Sequence, residues 1–404
     1  MRFTLAARAA AFPLLLAAAS SRLAAQTPFF GPRATGMAGA MTAVANDGTA
    51  LWTNPAGLAR DPRTDLDLFG NALASERGAL REDLEPLLGL DPAALAAGNP
   101  SAIVPVLGDL ATLAQPGSGV VGSGTAGLVF GWGGLAIGIG DVAYAGVYPA
   151  VDLTHILPGQ DPATSIAFNQ TALRSAGLEA REVRLALSKA FLQKALLVGV
   201  TGRYVMGRTT YSSQSVFDLD LGNPMTIARQ ALKDNPLDTS HFTFDAGAML
   251  NILGRLRVAI VSTAITQPSF SVLQDPNNPS LAGAPESLAL PRTVRAGAAF
   301  EPIGALTLAV DGDLVPNDTL IPGGESQQLS TGIEVRLPLF AIRAGAFRDF
   351  KAPDPHWAYS AGFGFGISQL SVNGSVVLST YQGLSLSSAN QRDVGAALDA
   401  RFRF

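Results

Sequence analysis

Three histidines, His155, His241 and His356, are the first residues to test for chemistry. They lie far apart in sequence and no pair has the spacing of a metal-binding helix or loop. With no cysteine in the chain, thiolate metal sites, a cysteine nucleophile, disulfides and a lipoprotein anchor are excluded. No G-x-S-x-G marks a nucleophile elbow. A serine triad assembled in space stays open, and an enzyme of that kind would need His, Ser and acid groups converging at one mouth of the fold. Asp311 and Asp313 in DGDLVPND suggest an oxygen-rich calcium loop, but the terminal bidentate glutamate is missing at its spacing. The expectation is a protein without catalytic residues, bound metal or cofactor. No basic block points to nucleic acid, and the formal net charge is −4.

The remaining constellation is a set of ionisable residues that share one face of alternating segments. By parity Arg184, Arg203, Arg295, Asp311, Asp313, Glu334, Arg336 and Arg343 point to the same side as the other polar residues. If that side is enclosed, each charge needs a partner or water. Their mixed signs suggest salt-bridged networks that bond an interior segment to a wall. A polar permeation path is the functional alternative.

Composition says what must position such charges. The chain is 48% hydrophobic and 15% charged. Counting glycine and leaving out tyrosine, the apolar share is about 57%, above the soluble average of about 45–50%. Yet past the N-terminus no apolar run reaches the roughly 20 residues of a membrane-spanning helix. Only helices and closed barrels satisfy their backbone in lipid, so the composition points to a transmembrane antiparallel β-barrel of all-β class in the outer membrane.

Alternation supports this. In 369–380, Leu370, Val372, Val376 and Leu378 share one face, and Ser371, Asn373, Ser375 and Ser379 the other. In 392–404, Val394, Leu398, Phe402 and Phe404 oppose Asp393, Asp399, Arg401 and Arg403. This is the apolar-out, polar-in pattern of a barrel strand. Fourteen strands are predicted over 64–73, 124–132, 134–146, 178–191, 194–209, 241–252, 255–266, 289–301, 304–314, 327–337, 339–350, 356–367, 369–380 and 392–404. Tight turns near Gly133-Gly134, Leu192-Gln193, Leu253-Gly254, Ile303-Gly304, Pro338 and Ser368 alternate with longer links, as short periplasmic turns alternate with extracellular loops. Tyr144, Tyr148, Tyr211, Tyr359, Tyr381 and Trp357 are placed in an outer aromatic girdle. Leu80, Leu84, Leu87 and Leu88 predict short amphipathic helices over 76–98, at the barrel mouth, and 222–236 predicts another loop helix.

The first residues read as an export signal. Arg2 and Arg8 precede the apolar run Ala9–Ala19, and Leu23-Ala24-Ala25 supplies the small residues of a cleavage site. The expected division is signal peptide 1–25, an N-terminal segment 26–62 and a barrel 63–404.

Residues 31–59, GPRATGMAGAMTAVANDGTALWTNPAGLA, resemble the N-terminal signature of the FadL-like outer-membrane proteins, a group that includes long-chain fatty acid and hydrocarbon transporters and PorV-type secretion barrels. AVDGDLVPNDTL (309–320) is similar to the TraF-type conjugal transfer members. The TraF name also covers a thioredoxin-like protein, whose chemistry a cysteine-free chain cannot perform. The terminal RFRF resembles the signal read by the barrel assembly machinery, with Phe402 and Phe404 as its aromatic positions.

The resemblance implies a barrel of about 14 strands with an N-terminal lumenal hatch. Gly36 and Gly39 would allow close approach, and Asn54, Pro55 and Ala56 form the family's Asn-Pro-Ala hallmark. Asn54 also suits a turn, since its side chain can bond nearby backbone. Two functions follow as expectations: hatch-gated passage of a hydrophobic ligand, or a non-transporting barrel that partners secretion or conjugation components. Outer-membrane lipid and the barrel assembly machinery are expected partners of either. An enclosed apolar pocket beside the hatch would favour passage, and an apolar patch on the loops would favour a protein partner.

Overall fold

The computed structural model describes residues 23–24, 28–61, 63–80, 82–84, 99–155, 168–216, 236–380 and 391–404. Its main body is one closed antiparallel barrel. The strands are β1 (Asp65–Arg77), β2 (Gly119–Trp132), β3 (Leu135–Ala150), β4 (Ala172–Phe191), β5 (Leu196–Ser215), β6 (Leu237–Ile252), β7 (Leu256–Thr263), β8 (Thr293–Ile303), β9 (Leu306–Asp313), β10 (Gln328–Arg336), β11 (Phe340–Asp349), β12 (Trp357–Ile367), β13 (Leu370–Thr380) and β14 (Gln391–Arg403). Each pairs with its sequence neighbours, and β14 closes on β1 with Asp393 opposite Ser75 and Arg403 opposite Asp65. All fourteen overlap the predicted spans. The largest differences are at the loop end, where β1 to β6 each run several residues further than their alternation alone indicates.

The alternation fixes which side chains face where. Leu370, Val372 and Val376 point outward, whereas Asn373, Ser375 and Ser379 are buried inside. On β14, Val394, Leu398 and Phe402 point outward, and Asp393, Asp399 and Arg401 are buried. The turns use the backbone their residues permit. Gly133 and Gly134 both take positive φ, as do Leu253 and Gly254, the geometry that matches the twist of two-residue hairpins. Among the described residues no helix is long and apolar enough to cross a membrane.

The outward aromatics correct the predicted girdle. Tyr144, Tyr148 and Tyr211 are buried in the interior, while Tyr359 and Trp357 face outward. Tyr144 and Tyr148 share the inward parity of Val142. At the turn end, Trp132, Phe191, Phe300, Phe340, Phe402 and Phe404 form an exposed aromatic set instead. Tyr381, the greater part of the helices predicted over 76–98, and the loop helix of 222–236 (apart from its last residue) lie outside the described residues.

A helix not predicted, Pro100–Thr112, follows in the same link. Asn99 caps its start by accepting from Ser101 N, with Pro100 in the first helical position. Ile103, Val106, Leu110 and Leu113 are its buried side chains.

Candidate functional site

The barrel interior is occupied by residues 28–61. This segment has one short helix, α1 (Gly31–Gly36), and two single turns of 3-10 helix, Gly48–Leu51 and Pro55–Ala59. Helix α1 packs against β11, β12, β13, β14 and β1. The turn at 48–51 meets β1 to β4, and the turn at 55–59 meets β3 to β6. Most of the segment is buried, with Met37, Ala38, Ala43, Val44, Ala50, Leu51 and Ala56 near full burial.

Small residues make this possible on both surfaces. A Cβ on Gly345 of β11 would lie 2.6 Å from the Met37 carbonyl carbon, and one on Gly332 of β10 would lie 2.8 Å from Met37 Cβ. On β6 a Cβ at Gly247 would lie 3.0 Å from Asn54 Cγ, and on β5 one at Gly199 would overlap the Pro55–Ala56 backbone. Within the segment, Gly36 sits against Gly362, and Gly39 takes φ +86° with the Phe29 ring on its open side. The wall is therefore moulded to the segment.

Asn54, Pro55 and Ala56 form a single device. Asn54 Oδ1 accepts from Ala56 N at 3.1 Å, while its Nδ2 donates to the Thr42 carbonyl at 2.8 Å. Pro55 stands at the first position of the turn, where no amide hydrogen is needed. The result is an N-cap of a short helix rather than an isolated turn, stitched to a strand of chain twelve residues earlier.

Irregular backbone in an enclosed space must find partners for its N–H and C=O groups. Here wall side chains supply many of them. Asp311 Oδ2 on β9 accepts from Met41 N (2.8 Å) and Thr42 N (2.7 Å). Asp65 accepts from Gly48 N at 2.8 Å. Arg257 Nε donates to the Ala43 carbonyl at 2.9 Å, Ser360 to that of Gly36 at 3.0 Å and Ser188 to that of Ala56 at 3.1 Å.

The eight charges predicted to face inward divide into three groups. Glu334 holds Arg33 of the segment through two bonds, 3.0 and 2.7 Å, and also pairs with Arg343 at 2.9 Å. Arg343 continues to Asn373 and thence Asp399. Arg33 also reaches Asp47 at 3.2 Å, which pairs with Arg401 at 3.0 Å, and Arg401 pairs with Asp67. Arg336 lies at the turn end of this group, between Glu334 and Glu301, and is partly exposed.

In the second group Arg184 and Arg203 share Glu182 and Asp245. Arg203 is 3.0 Å from Asp245 and Arg184 is 3.5 Å from it. Arg184 also stacks over Trp52 and Phe30 of the segment, 5.2 and 5.7 Å from the ring centres. In the third, Arg295 lies 3.9 Å from Asp311 and 3.5 Å from Asp313 and donates to Ser330 at 2.8 Å. Asp311 and Asp313 are thus spent on the segment, on Arg295 and on Gln328 N. Sequence reasoning missed Arg33, Asp47, Glu182, Asp245, Arg257 and Glu301 as members. Arg33 and Asp47 carried a usable signal, as lone charges in an otherwise small and apolar stretch.

A cavity of about 70 Å³ lies beside the segment. Phe29, Phe30, Met41, Trp52, Tyr144 and Leu290 line it together with Arg184, Arg203 and Arg295. Ala264, Leu290 and Pro291 of the link between β7 and β8 also line it. Phe270, Val272, Leu281 and Leu288 of that link are buried.

The histidines lie toward the loop end. His155 contacts Asp152 at 2.6 Å, and His241 packs edge-on against Phe270. His356 Nε2 is 2.6 Å from Asp393, which also accepts from Ser379. Burial pulls the His356 pKa down, but the hydrogen bond and charge of Asp393 outweigh it and raise the pKa above its ordinary value. The carboxylate stands between the imidazole and the hydroxyl, so Ser379 bonds Asp393 rather than the imidazole and the trio lacks the order of a Ser-His-Asp triad. Phe402 and Phe404 meet edge to face at 4.8 Å on the outer surface, and Phe404 N donates to Thr64 O at 3.0 Å beside the β14–β1 seam.

No protein-family model matches the chain, and no curated protein matches its sequence. Solved structures do match in fold. The CymD monoaromatic hydrocarbon channel is 15% identical with a TM-score of 0.52, over 94% of this chain and 99% of that one. The Ralstonia pickettii toluene transporter TbuX is 12% identical with a TM-score of 0.53, over the same shares. The P. putida toluene transporter TodX is 11% identical with a TM-score of 0.51, again over 94% and 99%. The chain thus has the fold of these hydrocarbon channels and transporters, the fold that its FadL-like resemblance implies.

Proposed function

We propose that this protein is an outer-membrane barrel that passes hydrophobic small molecules along a path gated by residues 26–62, which act as a hatch. Export through a leader spanning 1–25 belongs to the same reading. The observation that carries it is the cavity between the hatch and the inward-folded link, where Phe29, Phe30, Met41, Trp52, Tyr144 and Leu290 give a lining that is mainly apolar beside Arg184, Arg203 and Arg295. An apolar chamber deep in a barrel suits a hydrophobic guest. Proteins of the same fold are described as a monoaromatic hydrocarbon channel and as toluene transporters, which supports the same substrate class here. At about 70 Å³ the chamber is well below the about 150 Å³ that accommodates benzene in an engineered protein cavity. A guest of that size therefore requires the hatch or the link to move.

The test is native mass spectrometry with lipid analysis on barrel purified in mild detergent from its own membrane. A specific hydrophobic molecule should co-purify and be lost when Asn54 and Pro55 are replaced. An empty barrel that brings down secretion or conjugation components would instead assign it as an anchor in such an assembly, with the hatch as a plug.

A further inference from the structure

The link between β9 and β10, residues 314–327, lies at the loop end of the barrel. Two short strands, Asn317–Asp318 and Glu325–Ser326, pair to form a small hairpin. Its tip inserts Leu320 and Ile321 into the interior, where they are 1% and 2% exposed. The tip reaches the opposite wall. A Cβ on Gly146 of β3 would lie 2.7 Å from Leu320 Cβ, and one on Gly119 of β2 would lie 2.7 Å from Ile321 Cδ1. On β3 the inward residues run Val142, Tyr144, Gly146, Tyr148. Tyr144 lines the cavity, so Leu320 covers the next inward position above it. Leu320, Ile321, Tyr148, Tyr144, Trp52 and Phe30 all belong to one continuous apolar cluster.

The hairpin is held at a few points. Thr319 bonds the carbonyls of Ile321 and Gly324 within the tip. Arg77 of β1 donates to the Glu325 carbonyl and pairs with Asp349. Lys351 meets Glu325 at 2.9 Å in an exposed pair, a contact of small worth. Pro353 and Gly324 both pack near Gly117.

We propose that this hairpin is an outer gate, with Leu320 and Ile321 as its apolar bolt and Arg77 as its pin. Withdrawal of the tip uncovers a lane past Tyr148 and Tyr144 to the cavity beside Trp52. The inference rests on the reading of the barrel as a path for hydrophobic molecules. It adds that the path has two barriers in series, this hairpin on the loop side and the N-terminal segment below it.

The absence of native cysteine makes the test clean. In the full chain, Gly146→Cys with Leu320→Cys places two thiols across the closed gate, with an outward shift of about 1 Å needed for disulfide geometry. Toluene uptake is measured in vesicles carrying the oxidised or the reduced pair. Uptake should drop to that of protein-free vesicles on oxidation and return on reduction; uptake unchanged by a formed cross-link overturns the gate.

A second measurement does not need transport. The single variant Leu320→Cys should react with a membrane-impermeant maleimide in the folded barrel, and faster when Arg77→Gln is added. A thiol at this position that stays unlabelled in both backgrounds overturns the gate. If even the wild-type barrel takes up no toluene, the transport reading fails on that ligand, and the labelling result alone decides whether the hairpin opens.

Discussion

Removing the Asp311 carboxylate should free the middle of the N-terminal segment. Its Oδ2 accepts both Met41 N and Thr42 N, and its side chain is fully buried. In Asp311→Ala those two amides lose their acceptor, at about 1–3 kcal/mol each. Among the described residues Arg295 is left with Asp313 as its acidic neighbour. A local destabilisation of about 4 kcal/mol follows, roughly a thousandfold in an opening equilibrium. Asp311→Asn keeps an oxygen in place and loses only the charge assistance, so about 1–2 kcal/mol is expected. Hydrogen exchange of the Met41 and Thr42 amides reads this directly. Exchange should accelerate in the order Ala above Asn above wild type, with the amides of β12 unchanged. Rates within about threefold of wild type for the alanine variant would show that the carboxylate does not hold the segment.

Further outcomes follow from the same structure. Gly345→Ala pushes a methyl group toward the Met37 carbonyl carbon and should cost about 1–3 kcal/mol, seen as ion leak in planar bilayers with the barrel still folded. Trp52→Ala removes the edge contact with Phe69 and the stack beneath Arg184, costs about 3–5 kcal/mol, and should enlarge the cavity enough for xenon to be detected in it. Because the His356 pKa is raised, its attraction to Asp393 is fully present below the ordinary histidine value and is lost as pH rises through the raised one. Protease cleavage within 351–356 should therefore increase at alkaline pH, and His356→Gln should abolish that dependence; Arg392 and Asp354, paired with each other, are the charged groups beside it. Deleting Phe404 should slow barrel assembly while leaving the mature barrel's heat stability close to wild type.

The barrel was legible because two faces in different solvents impose period two on every strand, and glycine, proline or a short polar pair marks each hairpin. The interior charges were legible for the same reason: Glu334 and Arg343 face inward by parity, and burial forces them to pair. Their partners were harder to see. Arg33 lies 301 residues from Glu334, Asp47 is further still from Arg401, and no local pattern encodes such distances. The inward-folded links were invisible for another reason. Phe270 and Leu320 are apolar residues in loop-like surroundings, and nothing in such a stretch tells an inserted tip from an exposed patch. The tyrosines misled because their distance from the strand end does not decide the face each occupies. Parity does, and it places Tyr144 and Tyr148 beside Val142.

The mould around residues 28–61 also dictates an order of assembly. The segment is made before the barrel strands, yet its seat is built from β1 through β14. Arg401, which pairs with Asp47, belongs to the last strand. The seat does not exist until that strand has been made and has closed on the first. Contacts of such long sequence separation form late and slowly. The small, nearly uncharged stretch must therefore wait, with its future partners absent, while the whole barrel is threaded and paired. A run of glycine and alanine offers little for a chaperone or a neighbouring strand to seize in that interval, and the same smallness that lets it fit the finished wall keeps it uncommitted until the wall is there.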